Sequence, residues 1–554
     1  TLTGPVDKQL TELIIPEAIE YDGTSYPVTS IGNSAFYNCQ KLTKVVIPPV
    51  ITSIGESTFQ YCESITELTI PQSVTNIGGY AFWECSALKT LTIADGDSEL
   101  SFGVSALAGC YIETLYLGRN FTKDTFSGND LLKNLTISDS VTAIPEDAFN
   151  SCSGLTSIEI PNTVTSIGNR AFISCTALTD VTIADGDTTL EFGDYVFGET
   201  PIQTLYLGRN ITGNPFASNK SIKNLTISNS VTLIPENAFD NCSGITSVEI
   251  PSSVTSIGRL AFCFCSALTD VTIADGDTTL DFGEDVFAET PIERLKLGRN
   301  YSFNSDYIPG QPFYYHPSIT SITISNYVST IPDYAFSTCS GFTSLEIPNS
   351  VTSIGMYAFQ GCSKLTDLTI ADGDNDLTFG ENVFFETPIE TLYLGRDIAE
   401  SSKMPFRSLT TLKNLTIGST VTATPMHVFS DCSALTDVTI ADGDTELQFG
   451  WFAFENAPVE TVYMGRNFSG TPFSTIASIK DVTISEKVTS LPDYAFSSTG
   501  ITSLKIPESV ISVGAFAFKN CSGLTEVIIA DGDSDTSIDF SNAVFILLPS
   551  KPFT

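Results

Sequence analysis

Apolar residues return along this chain with a period near 23. The run Ile31-Gly32-Asn33-Ser34-Ala35-Phe36-Tyr37-Asn38-Cys39 is echoed at Ile54 to Cys62 and again at Ile77 to Cys85. Phe36, Phe59 and Phe82 therefore stand 23 residues apart. Behind each comes a segment such as Leu42 to Ile47 or Ile65 to Ile70, apolar at its first, fourth and sixth positions and closed by Pro. Such alternation predicts a short strand with one buried face, renewed once per repeat.

The anchor continues from Leu107 and Phe126 to Phe518 and Phe545, which gives 23 coils. A slower period lies on top of it. Phe82, Phe172 and Phe262 are 90 residues apart, as are Asp95-Gly96-Asp97, Asp185-Gly186-Asp187 and Asp275-Gly276-Asp277, so four coils form a super-repeat. The spacing stretches by seven residues around Tyr301 to Pro317, and one coil is missing between Asp374 and Asp442. No Pro/Gly/Ser linker or charge block interrupts the series. Residues 1–554 are expected to form a single domain, with 1–27 as an N-terminal cap and 546–554 as a C-terminal tail. One coil cannot bury its apolar edge alone, and stacking makes the core continuous.

The motif V-T-S-I-G-x-x-A-F-x-x-C-x-x-L-T-x-V-x-I, clearest at Val164 to Ile183, Val254 to Ile273 and Val351 to Ile370, resembles the repeat of the BspA-like leucine-rich-repeat proteins. The expected fold is an α/β-type repeat solenoid, mostly β, wound as a right-handed leucine-rich-repeat superhelix. The L-T-x-V-x-I runs would form a parallel sheet on one face. The V-T-S-I-G runs would add a second line of short strands, and A-F-x-x-C a single helical turn. The resemblance implies a secreted or bacterial cell-surface protein that binds host or microbial macromolecules, with no catalytic residues to carry over. The Leu-Gly-Arg-Asn coils at Leu117, Leu207 and Leu297 depart from the plain repeat and leave the ligand open.

Composition changes this picture only by exclusion. Sixty-four acidic residues against 26 basic ones give a formal charge of −38, which repels nucleic-acid phosphates and anionic membranes and favours cationic partners. No stretch approaches the roughly 18 apolar residues of a membrane span. The chain begins at Thr1 with no initiator Met, as it would after removal of a targeting segment.

The candidate chemistry is mostly structural. Twelve of 13 Cys stand three residues after an anchor. The same slot holds Thr200, Thr290, Thr387, Asn129, Asn219 and Ala457. A slot of such mixed occupancy selects a small buried residue, so reduced core thiols are expected in preference to a disulfide or metal ladder. His316 and His427 are the only histidines, and at five coils apart they cannot share a proton relay or a zinc ion. With no nucleophile–base pair or phosphate loop, neither catalysis nor a cofactor or metal is expected. Six Asp-Gly-Asp triplets occur, the last at 531–533; they read as turns first and as weak calcium sites second. Arg119, Arg209, Arg299, Arg396 and Arg466 read as partners for local acidic groups.

Two places favour binding. The outward slot before the last strand residue is mostly Thr, as β-propensity alone favours, but becomes Tyr at Tyr116, Tyr206, Tyr393 and Tyr463. An exposed aromatic with a polar tip suits recognition. The insertion at Tyr301 to Pro317 supplies Tyr307, Tyr314 and Tyr315, and insertions in solenoids map to loops. The leading expectation is a monomeric, adhesin-like module for an extracellular protein. Glycan binding through the spaced Tyr residues, and a rigid spacer, are the alternatives.

Overall fold

The computed structural model describes residues 1–4, 7–122, 124–530, 538–541 and 544. Phe545, the tail 546–554 and the triplet Asp531-Gly532-Asp533 lie outside the described residues. The protein is a mostly-β parallel-sheet solenoid of about 22 turns. It divides into unit 1 (Thr1–Thr269 with Phe282–Thr290) and unit 2 (Asp270–Asp281 with Pro291–Thr554).

In unit 1 the strands Glu67–Ile70, Thr90–Ile93, Thr114–Leu117 and Asn134–Ile137 pair in parallel, followed by a second set from Ser157–Ile160 to Asn224–Ile227. Register is strict: Leu91 faces Leu115, and Leu115 faces Leu135. The second line begins with Ser30–Ile31, Ser53–Ile54 and Asn76–Ile77. Leu2 bridges to Ile31 and Glu12–Ile14 pairs with Lys44–Val46, so the N-terminal flank contributes to both lines. In unit 2 seven strands from Ser344–Ile347 to Asp481–Ile484 form one parallel sheet. The inward residues of both lines are mostly buried, as the alternation predicts, with Leu135, Leu225, Ile322 and Val482 half-buried.

The A-F-x-x-C element is not a helical turn, which corrects the expectation above. It is a set of overlapping tight turns whose N–H groups alternate in destination. Ala35, Tyr37 and Cys39 bond back three residues, to Gly32, Ser34 and Phe36. Ser34, Phe36 and Asn38 instead donate to Glu56, Thr58 and Gln60 of the next coil, each at 2.8 Å. A helix would spend every donor inside its own coil. The alternation requires a left-handed residue on either side of the anchor, here Ser34 (φ 53°) and Asn38 (φ 59°).

This pairing holds successive anchors in register, so their rings stack. Phe36 and Phe59 lie 5.2 Å apart at 7°, and in unit 2 the stack runs from Phe313 through Phe359 and Phe429 to Phe518. The Cys slot lies beside it. All 13 thiols are free and buried. Most donate to the anchor carbonyl one coil back, as Cys62 does to Phe36 and Cys175 to Phe149, both at 3.2 Å. Thr in this slot turns its hydroxyl to its own anchor, Thr200 to Phe197 at 2.6 Å.

The recurrent Arg residues are the second correction. All five are 0% exposed, and four of them turn to backbone carbonyls in place of acidic side chains. Arg119 reaches back two coils and forks onto the carbonyls of Gln72 (2.6 Å) and Pro71 (2.8 Å). Arg209 does the same with Asn162 and Pro161, Arg396 with Asn349 and Pro348, and Arg466 with Ser419 and Gly418. Their stems pass beneath the triplet glycines; a Cβ on Gly443 would meet Arg466 Cδ at 3.1 Å. Those glycines therefore make room for the Arg, a role that turn chemistry alone does not supply. Burial pushes the Arg396 guanidinium down to about 10, still protonated at neutral pH.

Two measurements check these assignments. Burial pushes the thiols of Cys62, Cys175, Cys242, Cys339 and Cys432 from about 9 up to about 12. A raised acid keeps its proton better in the fold, so this stabilisation is complete below pH 9 and disappears as pH rises through about 12. The denaturation midpoint should stay flat to about pH 9 with respect to these groups and fall above it, and iodoacetamide at about pH 8 should label the thiols only after unfolding. Rapid native labelling would contradict this. Arg209→Leu, which strands two buried carbonyls, should cost about 3 kcal/mol or more in chemical denaturation, and Arg209→Lys should recover only part of it because an ammonium cannot fork.

Candidate functional site

The sheet-face tyrosines lie in register with Thr neighbours, Tyr116 between Thr92 and Thr136 and Tyr206 between Thr182 and Thr226. Each is half-buried, with its hydroxyl donated to the first Asp of a triplet. Tyr116 bonds Asp95 (2.9 Å), Tyr206 Asp185 (3.0 Å), Tyr393 Asp372 (2.8 Å) and Tyr463 Asp442 (3.0 Å). Asp95 also accepts from Ser138 (2.6 Å), and Asp185 from Ser228 (2.5 Å). Burial, helped by Asp372, pushes the Tyr393 phenol up to about 12. In the third super-repeat Lys296 replaces Tyr and pairs with Asp275 at 3.2 Å. The first carboxylate of these triplets thus ties neighbouring coils together. The fold does not gather the four Tyr residues into one patch.

The insertion behaves unevenly. Tyr307 and Tyr315 are 53% and 68% exposed, whereas Tyr314 is half-buried and Tyr301 and His316 are buried. Ile308–Gly310 forms one 3-10 turn. Tyr315 adopts φ 55° and donates its N–H to Ser337 at 3.0 Å, so the insertion leads into an ordinary turn edge.

That turn edge carries a feature the sequence reading missed. The left-handed residue two before the anchor turns its side chain outward, and in unit 2 it is repeatedly aromatic. Tyr334 stacks on Tyr357, His427 on Phe452 and Tyr494 on Phe516, each pair at 5.1 Å. Beside Phe452 stands Trp451, 75% exposed. The available signal was the aromatic recurring two positions ahead of the anchor, hidden because Phe454 explained the local apolar run.

Next to Trp451 the edge opens into a groove of about 930 Å³ between the Phe454 and Phe473 turns, walled by Trp451, Phe452, Glu455, Pro472 and Ile476. Its cause is coil length: these anchors are 19 residues apart, not 23, and the shorter coil leaves a notch. A related notch of about 570 Å³ lies in unit 1, where Leu107 and Phe126 are also 19 residues apart, but it is walled by Val104, Ser105, Gly109 and Ser127 without an exposed aromatic.

His427 sits beside the larger groove. Its Nδ1 lies 3.1 Å from Ser430 Oγ and 3.2 Å from Glu455 Oε2. A relay needs the acid and the nucleophile on opposite ring nitrogens. Here both face one nitrogen, and Ser430 already donates to the Phe452 carbonyl at 2.9 Å. The cluster orients the Phe452 turn and has no relay geometry. Among the described residues no group of three or more His, Cys, Asp or Glu side chains converges as a metal ion would need, and no helix is long and apolar enough to cross a membrane.

Comparison with known proteins places the fold in a family. Among solved structures, a leucine-rich repeat protein of Bacteroides ovatus is 23% identical, covering 71% of this chain and 91% of its own, with a TM-score of 0.29. A leucine-rich cell surface protein of Faecalibacterium prausnitzii is 19% identical over 78% of this chain and 87% of its own, with a TM-score of 0.21. The pneumococcal vaccine antigen PcpA is 15% identical over 96% of this chain and 91% of its own, with a TM-score of 0.22. No curated protein matches the sequence. The model of the BspA-type leucine-rich repeat region matches in six overlapping copies that run from residue 9 to residue 543. The chain belongs to the BspA-type leucine-rich repeat family.

Proposed function

We propose that this chain is a non-enzymatic binding protein, secreted or displayed on a bacterial cell, which recognises a host or microbial macromolecule through the turn edge of unit 2. The observation that carries the reading is Trp451, 75% exposed beside the half-exposed Phe452 at the mouth of a groove. Large aromatics held rigid over a concavity are the usual energetic centres of recognition surfaces. Tyr307 and Tyr315 of the insertion add exposed aromatics to the same unit. Family membership supports the surface or secreted setting, and the charge of −38 favours a partner with a cationic patch.

Glycan binding by the sheet face is the second reading. Tyr116, Tyr206, Tyr393 and Tyr463 keep part of each ring open, flanked by Thr hydroxyls. Their phenol protons are already given to Asp, which leaves stacking as their main contribution.

Binding of the purified chain to a glycan array and to immobilised extracellular matrix proteins separates the two. Joint replacement Trp451→Ala and Phe452→Ala should weaken the retained ligand by about tenfold or more, while Tyr206→Ala with Tyr393→Ala leaves it unchanged. The opposite pattern would move the function to the sheet face. Tyr307→Ala with Tyr315→Ala should cost a smaller factor, and a ligand indifferent to all three pairs would sink the turn-edge reading.

A further inference from the structure

We propose that the groove between the Phe454 and Phe473 coils is a receptor slot for a short polypeptide segment of a partner protein, carrying an apolar and a basic side chain. This rests on the turn edge being the binding surface and adds the class of ligand.

The argument begins with the ladder that joins one turn to the next. Coming into the Phe454 coil it is complete: His427, Phe429 and Asp431 donate their N–H groups to Trp451 (3.0 Å), Ala453 (2.9 Å) and Glu455 (2.8 Å). On the far side it stops. The N–H groups of Phe452, Phe454 and Asn456 find no acceptor among the described residues, although Glu455 and Ala457 still bond back to Phe452 and Phe454, both at 3.1 Å. The carbonyls that register assigns to them belong to Gly470, Pro472 and Ser474, and these accept from no donor among the described residues. The two rows border the same groove.

One wall therefore offers three backbone donors and the other three backbone acceptors. Unpaired main-chain groups of both kinds are satisfied together by another main chain, which carries both at regular intervals. The length of this step varies among the super-repeats. At the equivalent step Leu107 to Phe126 and Phe197 to Phe216 also span 19 residues, but Phe384 to Phe406 spans 22 and Phe287 to Phe313 spans 26. At this step the chain itself twice accommodates extra residues, three and seven of them.

The walls choose among peptides. The positions of Trp451 and Phe452 are filled by Val104 and Ser105, Asp194 and Tyr195, Glu284 and Asp285, and Glu381 and Asn382 in the four preceding super-repeats. Among the described residues, only the Phe454 groove joins two exposed aromatics to the open ladder. Glu455 stands on the wall with its side chain 44% exposed, and its close partner among the described residues is His427, whose Nδ1 lies at 3.2 Å. An apolar side chain over Trp451 and a Lys or Arg towards Glu455 fit that arrangement.

The test pans a phage-displayed library of random heptapeptides on the full chain and measures the selected peptides, as synthetic probes, by fluorescence anisotropy. Enriched sequences should combine an apolar residue with Lys or Arg. They should bind at least about tenfold more weakly to Trp451→Ala, and should lose binding to Thr471→Trp, which blocks the groove mouth from an exposed position. Bound peptide should slow hydrogen exchange at the N–H groups of Phe452 and Asn456. Unchanged melting of both variants shows that each is folded. Failure to enrich any peptide, or peptides that bind both variants like the native chain, would overturn the slot. A glycan held by the native chain and lost in Trp451→Ala, with no peptide selected, would overturn the slot while leaving the turn edge as the binding surface.

Discussion

Every coil of this solenoid relies on its neighbour to take the backbone groups it cannot satisfy itself. The strands do this in the ordinary parallel manner. The turn edge does it by a less familiar device, splitting its N–H groups alternately between its own coil and the next. That split requires left-handed residues on both sides of the anchor, and the chain accepts Ser, Asn, Tyr and even Phe there. Conformational cost at single residues is offset by a hydrogen bond repeated along the stack. The stacked Phe rings and buried thiols follow from the same register, since residues held one above another must share a single column.

The super-repeat adds a second layer of ties. In four super-repeats the Gly-Arg coil sends a guanidinium two coils back to carbonyls near the end of a strand, beneath a glycine that leaves space for it. The Asp beside that glycine receives a Tyr hydroxyl in four super-repeats and a Lys ammonium in a fifth. These links span more than one interface. They make the four-coil block a unit of cohesion as well as of duplication, and they explain why the triplet, the Arg and the Tyr recur together.

The same dependence on neighbours shows where the surface is open. Shortening a coil by four residues does little to the strands, which still pair in register across Thr461–Met464 and Asp481–Ile484. It withdraws the turn, and there the ladder loses its partners. A notch of this kind exposes main chain as well as side chains. Around Trp451 it does so beside the most exposed large aromatic among the described residues of unit 2. Side-chain chemistry is sparse elsewhere: the two histidines are spent on packing and turn orientation, and the thiols are inert by burial.

Much of this was determined by the sequence alone. The period, the apolar alternation of the strands, the column of Phe anchors and the mixed occupancy of the Cys slot are one-dimensional patterns. A solenoid turns such patterns directly into stacking, because each residue meets its own counterpart one period away. Three features could be decided only by the tertiary structure. Whether A-F-x-x-C closes on itself or reaches outward depends on the position of the next coil, which the motif does not contain. The Arg residues looked like partners for local acidic groups because their acceptors lie about 47 residues upstream and are backbone carbonyls, which carry no residue identity. The Tyr residues looked available because the carboxylate that takes each hydroxyl belongs to a different coil. The groove beside Trp451 is the same case in reverse: the spacing of 19 was visible, but a missing hydrogen-bond partner is recognised only once its neighbour is in place.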